Sequence, residues 1–280
     1  MKFNIIQPEE DNAAGIFLEI AELLFFSIRE LGYEAVISRG EAKSQYRNIV
    51  IGIFHSENVW DHLPDDSIVI NTEPLFARLQ WISWSERLVE LSSKYLIWDY
   101  DPRNIEILFG LGVKSTQLFS FGYQKELERI PNYPDSERPI DVLFYGSANE
   151  RRSIITNQLI SNGLVYNYLF GTYGNPRDEC ISRSKMVINL HYNETSAFEI
   201  IRVHYLLNNG IAIVPEIGPD TSIDQNYLNF LVGVPYSELV QRCLFLKENP
   251  EELLDLRFKA LNEFKKFPQS TYMEQLLKNI

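Results

Sequence analysis

Residues 184–216 concentrate the side chains best suited to chemistry. Glu199 and Arg202 stand three apart, a spacing that places both on one face of a helix. Lys185 and His191 bracket the apolar run Met186–Leu190. Some forty residues earlier come Gly146-Ser147 and the pair Arg151-Arg152, and there a phosphate could meet backbone N–H groups at a helix start flanked by cations. Asp99-Tyr100-Asp101 is a DxD, a pair of hard oxygen donors of the kind that hold a divalent metal. Each feature also has an ordinary reading. Ser196-Ala197-Phe198-Glu199 fits a capping box in which Glu199 bonds back to the backbone of Ser196. Arg202 reads equally as a helix ion-pair partner, the Gly-Ser turn as common turn chemistry, and Asp101-Pro102 as a turn and N-cap.

Composition narrows the partners. With 45% hydrophobic and 23% charged residues, the 280-residue chain is an ordinary folded protein, long enough for two medium domains. Its 26 basic and 38 acidic residues leave a charge of −12, a field that repels phosphate backbones, so nucleic acid is not expected as a partner. Lys259, Lys265 and Lys266 sit among acidic residues and read as a solvated helix face. The longest apolar runs fall well short of the ~20 residues that span a bilayer, which leaves at most peripheral membrane contact. No signal-peptide pattern opens the sequence, and Cys180 and Cys243 have no zinc or CxxC spacing. A cytoplasmic protein is expected, with both thiols partly buried and without a role, and with His62 and His204 structural.

The elements that must position these residues follow from periodicity. Lys2–Gln7, Ala35–Ser38, Asn48–His55, Ser67–Thr72, Tyr95–Trp98 and Gln117–Phe121 read as strands, alternating with helical patterns at Phe17–Leu31, Phe76–Ser92 and Asn104–Leu111. After a polar stretch holding Pro131, Pro134 and Pro139 the alternation restarts. Strands are predicted at Asp141–Tyr145, Tyr166–Phe170, Met186–His191 and Ile211–Pro215, and helices at Glu150–Ser161, Arg177–Ser184 and Phe198–Asn208. Helices over Tyr236–Lys266 and Thr271–Asn279 close the chain. Near-continuous apolar strands between helices argue parallel sheets covered on both faces. The expectation is two Rossmann-like α/β domains: residues 1–125, a linker 126–139, and residues 140–280 with the C-terminal helices. In such sheets ligands bind beyond the carboxyl ends of the strands, which directs attention to Gly146-Ser147, Gly171–Gly174, His191–Glu194 and Glu216–Gly218.

The order Ser184-Lys185, Ile188-Asn189, His191-Tyr192, Phe198-Glu199, Arg202, Leu206-Leu207, Gly210 and Val214-Pro215-Glu216, preceded by Phe144-Tyr145-Gly146-Ser147, resembles the donor domain of GT-B glycosyltransferases of the group-1-like bacterial and phage type. The resemblance covers about Asp141–Gly218, and Ile70-Asn71-Thr72-Glu73-Pro74 is similar to the N-x-E segment of acceptor-side domains. It implies a GT-B arrangement with a cleft, and transfer of a sugar from a nucleotide-sugar to a hydroxyl acceptor such as a saccharide of a surface glycan. No cofactor or metal is expected beyond the nucleotide-sugar co-substrate. Glu199 takes the position that holds ribose or sugar, while the partner acid eight residues on is Leu207 here. Gly146, Ser147, Arg151, Arg152, Lys185, His191 and Arg202 complete the expected donor site. An acceptor-side general base falls to His55, whose ordinary pKa near 6.5 suits the role, with Glu73 second. Alternatives are a nucleotide-sugar-binding protein without catalysis, a metal-dependent GT-A enzyme using Asp99 and Asp101, and a two-lobed binding-protein-like sensor.

Overall fold

The computed structural model describes residues 1–55, 63–75, 80–193 and 197–280. His62, Ser196, Glu194 and the first residues of the predicted helix Phe76–Ser92 lie outside them. The chain divides into two compact units, Met1–Leu127 with Pro268–Ile280, and Glu128–Phe267.

The first unit holds β1 (Lys2–Gln7), α1 (Asp11–Ile16), α2 (Leu18–Glu30), β2 (Glu34–Arg39), β3 (Arg47–Ile51), β4 (Ile68–Asn71), α3 (Gln80–Ser92), β5 (Leu96–Asp99), α4 (Pro102–Gly110) and β6 (Thr116–Leu118). Its strands are all parallel, in the order β2-β1-β3-β4-β5-β6. Burial on both faces explains their β-branched content: Ile49, Val50, Ile51, Ile68 and Val69 are all inaccessible to solvent. Strand β3 stops at Ile51, short of the expected His55. Gly52 adopts φ +67°, a conformation open to glycine, and a Cβ there would fall 2.4 Å from the Phe17 ring. The chain then makes a 3-10 turn over Ile53–His55.

The second unit runs β7 (Ile140–Tyr145), α5 (Glu150–Ser161), β8 (Tyr166–Leu169), α6 (Asn175–Ser182), β9 (Ser184–Asn189), α7 (Ile200–Asn208), β10 (Ile213–Pro215), α8 (Leu239–Glu248) and α9 (Pro250–Phe264). Its four strands are also parallel, in the order β10-β9-β7-β8. Helices α5, α8 and α9 cover a core built on Val142, Phe144, Met186, Ile188 and Val214. In both sheets the strand order reverses once, between β1 and β3 and between β7 and β9. Loops leaving the carboxyl ends on either side of such a reversal diverge and open a crevice, the usual ligand position in open α/β sheets.

Helix α10 (Gln269–Leu277) lies by sequence with the second half, yet it packs on α2 of the first unit. Gln269 explains why: it is fully buried, its amide nitrogen donates to Ser120 O, its side-chain carbonyl accepts from Gly122 N–H, and its own N–H donates to Tyr123 O. Replacing Gln269 with alanine orphans a buried N–H and a buried carbonyl, each worth about 1–3 kcal/mol. The Q269A variant is therefore expected to lower the urea midpoint of the first unit, followed by the fluorescence of its buried Trp98, and to leave the second unit's transition in place.

Candidate functional site

The carboxyl ends of β7 and β9 bring together most of the residues that the sequence singled out. Strand β7 ends in Tyr145 and turns at Gly146, and β9 ends in Asn189 with His191 two residues on. Helix α7 starts beside them, with Glu199 as its N-cap.

Glu199 does not cap its helix with its side chain. Its carboxylate instead accepts from Asn189 Nδ2 at 2.9 Å and from His191 Nδ1 at 3.0 Å, with Arg152 Nη2 at 3.4 Å. Burial by itself raises the pKa of this carboxyl, but the charges of His191, Arg202 and Arg152 outweigh burial and hold it down at about 2. Glu199 is thus an anion at every physiological pH. His191 shows the reciprocal effect. Burial works to lower its pKa, while Glu199, by charge and hydrogen bond, and Glu216 lift it above 6.5. An ionised Glu199 only accepts, so His191 Nδ1 carries a proton toward it, and Nε2 lies 2.9 Å from Thr221 Oγ1. Thr221 Oγ1 in turn accepts from Gly218 N–H at 3.0 Å, tying the loop after β10 to the site.

Arg202 is half-buried, with Nη1 donating to Asn189 Oδ1 at 2.8 Å and its guanidinium 5.8 Å from the Phe144 ring centre and 5.5 Å from that of Tyr145. Among the described residues its other N–H groups have no protein acceptor. Its Nη2 lies 2.7 Å from where a Cβ on Gly146 would stand, so glycine at that turn makes room for the guanidinium. That, rather than a backbone N–H offered to an anion, is the role of Gly146, because its N–H already donates to Leu169 O. Ser147 is exposed beside it, and its carbonyl accepts from Arg152.

The two neighbouring arginines diverge. Arg152 is buried, and its guanidinium is consumed by the carbonyls of Leu190, His191 and Ser147; burial depresses its pKa to about 10. It staples α5 to the end of β9 and cannot also offer its fork to a phosphate. Arg151 forms a two-pronged ion pair with Glu216 and stacks 3.9 Å from the Tyr236 ring centre. Lys185 is not part of the site. It sits at the amino end of β9, the opposite edge of a parallel sheet, where it pairs with Asp141 at 2.7 Å. Asn189 and Thr221 were not singled out as site residues from sequence, and Glu216 was marked only as part of the segment that follows a strand. Asn189 carried the one usable signal, a polar residue inside an apolar strand.

At the carboxyl edge of the first sheet, Asn71 and Asn104 grip the backbone of Glu73: Nδ2 of each donates to Glu73 O, at 2.7 and 2.9 Å, and Glu73 N–H donates to Asn71 Oδ1. Both asparagines also donate to Asp99, which is fully buried. Burial raises the carboxyl of Glu73 to about 7. His55 is exposed on its turn, with its ring 6.1 Å from that of Phe17. Asp99 accepts from Asp101 N–H, and Asp101 caps α4 by accepting from Arg103 and Asn104 N–H. The DxD is therefore a turn and helix cap, its carboxylates already engaged. Among the described residues no three His, Cys, Asp or Glu side chains are grouped to hold a metal ion, and no helix is long and apolar enough to cross a membrane. His204 is buried in α7, its pKa lowered by burial to about 4, and Cys243 is a buried free thiol.

Solved structures of the same architecture cover the whole chain. T4 phage BGT, solved with UDP and Mn2+, superposes with a TM-score of 0.60 at 15% identity over 99% of each chain. Sucrose-phosphate synthase from Thermosynechococcus elongatus gives 0.65 at 10% identity, covering 100% of this chain and 98% of that one. An alpha-glucosyltransferase solved with UDP and a 13-mer DNA gives 0.61 at 10%, with the same coverage. The fold is that of the GT-B glycosyltransferases. In sequence, the chain matches uncharacterized proteins of Acanthamoeba polyphaga mimivirus, one 26% identical over 191 residues, which are 66% of this chain and 60% of the relative. Another is 31% identical over 125 residues, 43% of this chain and 14% of the relative. The chain thus spans less than two thirds of the length of these relatives. No family model matches it.

The Glu199–His191 pair makes the stability of the second unit depend on pH in two directions. Glu199, with its pKa lowered from 4.5 to about 2, loses its stabilising contribution as pH falls through that range; His191, raised above 6.5, loses its own as pH rises through its folded value. The melting-temperature difference between wild type and Glu199→Gln should therefore be largest between pH 4.5 and 6.5 and shrink on both sides. A difference independent of pH would exclude the pair as its source.

Proposed function

We propose that the protein is a glycosyltransferase that binds a nucleotide-sugar on its second unit and transfers the sugar to a hydroxyl acceptor. The observation that carries this reading is the pair at the start of α7: an ionised Glu199, and an Arg202 whose remaining donors face no acceptor among the described residues, set at the β7/β9 reversal of a GT-B donor sheet. Glu199 accepts hydrogen bonds from ribose or sugar hydroxyls, and Arg202 binds the diphosphate. Ser147 and the α7 N-terminus add N–H dipoles toward the same anion.

In the reaction, the acceptor hydroxyl oxygen forms a bond to the anomeric carbon and the bond from that carbon to the diphosphate oxygen breaks. Its electron pair leaves with the nucleoside diphosphate, whose growing charge Arg202 neutralises. The hydroxyl proton passes to a base on the first unit. Glu73 suits this role better than His55, because burial poises its carboxyl near neutrality while Asn71 and Asn104 fix its backbone. No ligand to a metal is assigned, since Asp99 accepts from Asn71, Asn104 and Asp101 N–H and Asp101 caps α4. The charge of −12 favours an uncharged saccharide over nucleic acid as acceptor. Synthesis of a surface glycan, in the cytoplasm, is the setting in which these substrates meet.

A thermal-shift panel of UDP, GDP, dTDP and CMP sugars should raise the melting temperature with at least one of them. Against that sugar nucleotide, Glu199→Gln should weaken binding by about 1–3 kcal/mol, the scale of a charge-assisted hydrogen bond. Arg202→Ala should weaken the nucleoside diphosphate and spare the nucleoside. Transfer should rise with pH through about 7 and lose about 10²–10⁴-fold in Glu73→Gln. Unchanged titrations in both donor-site variants, with folding intact, would remove the site assignment.

A further inference from the structure

Asn189 is fully buried at the end of β9 and uses both ends of its amide. Nδ2 donates to Glu199 Oε2 at 2.9 Å, and Oδ1 accepts from Arg202 Nη1 at 2.8 Å. An ionised carboxylate only accepts and a guanidinium only donates, so a single orientation of the amide satisfies both neighbours. Glu199 and Arg202 are three residues apart where α7 begins, a spacing at which opposite charges ordinarily pair directly. They do not pair here. Glu199 is drawn toward His191 and Arg152, while Arg202 lies over Gly146 against the rings of Phe144 and Tyr145.

We propose that Asn189 is a positioning residue that keeps Arg202 from collapsing onto Glu199, and so preserves the guanidinium as a binding group for a diphosphate. The role rests on the donor reading given above. An apolar residue of similar volume at 189 removes the spacer and the acceptor of Arg202 Nη1, and leaves Glu199, three residues back where α7 begins, as the carboxylate toward which the freed guanidinium turns. An aspartate removes it differently, by placing a carboxylate against Arg202 and repelling Glu199.

Inorganic pyrophosphate is the appropriate probe, because it has no ribose or sugar for Glu199 to hold. In calorimetric titrations of the full chain, Asn189→Leu is expected to weaken pyrophosphate about 10–100-fold, near the loss in Arg202→Ala, in line with a charge-assisted bond. Adding Glu199→Gln to Asn189→Leu should restore most of that loss, and restore far more than the same change gains in the wild-type background. Asn189→Asp, isosteric and guarding against a folding defect in the leucine variant, should also weaken pyrophosphate, but Glu199→Gln should not rescue it. Restoration in the leucine background alone supports the insulating role. Equal effects of Glu199→Gln in all three backgrounds, with Arg202→Ala still deleterious, overturn it and leave the donor reading standing. Pyrophosphate binding indifferent to Arg202→Ala overturns both.

Discussion

A carboxylate that is mostly withdrawn from water must be matched by donors and positive charge, and Glu199 imposes that requirement on the whole carboxyl edge of the second sheet. Left unpaired it would take up a proton or disfavour the fold. The structure surrounds it with Asn189 and His191 from the end of β9 and Arg152 from α5, with Arg202 one turn along its own helix. His191 is held in turn through Thr221 and Glu216, and Glu216 binds Arg151. One buried charge therefore links the end of β9, the starts of α5 and α7 and the loop after β10 into a single network. A ligand that contacts Glu199 meets a group already fixed in place, which reduces the ordering that binding must supply.

The first sheet shows the opposite outcome for the same functional group. Asp99 is as deeply buried as any side chain in the molecule, but its partners are two neutral asparagines and a backbone N–H, and it is raised to about 7 instead of lowered. Amides satisfy a carboxylate's hydrogen bonds without supplying charge, so desolvation prevails. Glu73 follows the same logic on a loop that Asp99 organises at second hand, through Asn71 and Asn104. Two carboxylates near neutrality on one unit and one held at about 2 on the other show the same functional group set to different charge states by its partners.

The alternation of strands and helices was legible because parallel strands buried on both faces need runs such as Ser67–Thr72 and Met186–Leu190, which resemble little else. Which side chains reach the site was less legible. Arg151 and Arg152 are adjacent, and adjacency on a helix turns side chains about 100° apart, so one lies under the carbonyls of β9 while the other meets Glu216. Lys185 was in principle decidable, since a residue that opens a strand of a parallel sheet stands at the edge opposite to the one where ligands bind. The place of α10 was not: its pattern specifies an amphipathic helix, and nothing local says that Gln269 will be claimed by the backbone of Ser120–Tyr123, some 150 residues away. Nor does a capping-box spacing distinguish a glutamate turned to its own backbone from one turned to a histidine eight residues back.

Charge reconciles the acidic chain with the anionic ligand proposed for it. The total of −12 acts at long range, but at physiological ionic strength its reach is about 8 Å, beyond which surface charges are largely screened. Inside the site the count is local. Arg151 is cancelled by Glu216, and Arg152 is spent on carbonyls and Glu199. Arg202, held apart by an amide, keeps its charge. A compact diphosphate needs only that one guanidinium and the nearby N–H dipoles. An extended phosphodiester needs a stripe of cations, and at this edge of the second sheet Arg151 and Arg152 are already bound to the protein's own acceptors.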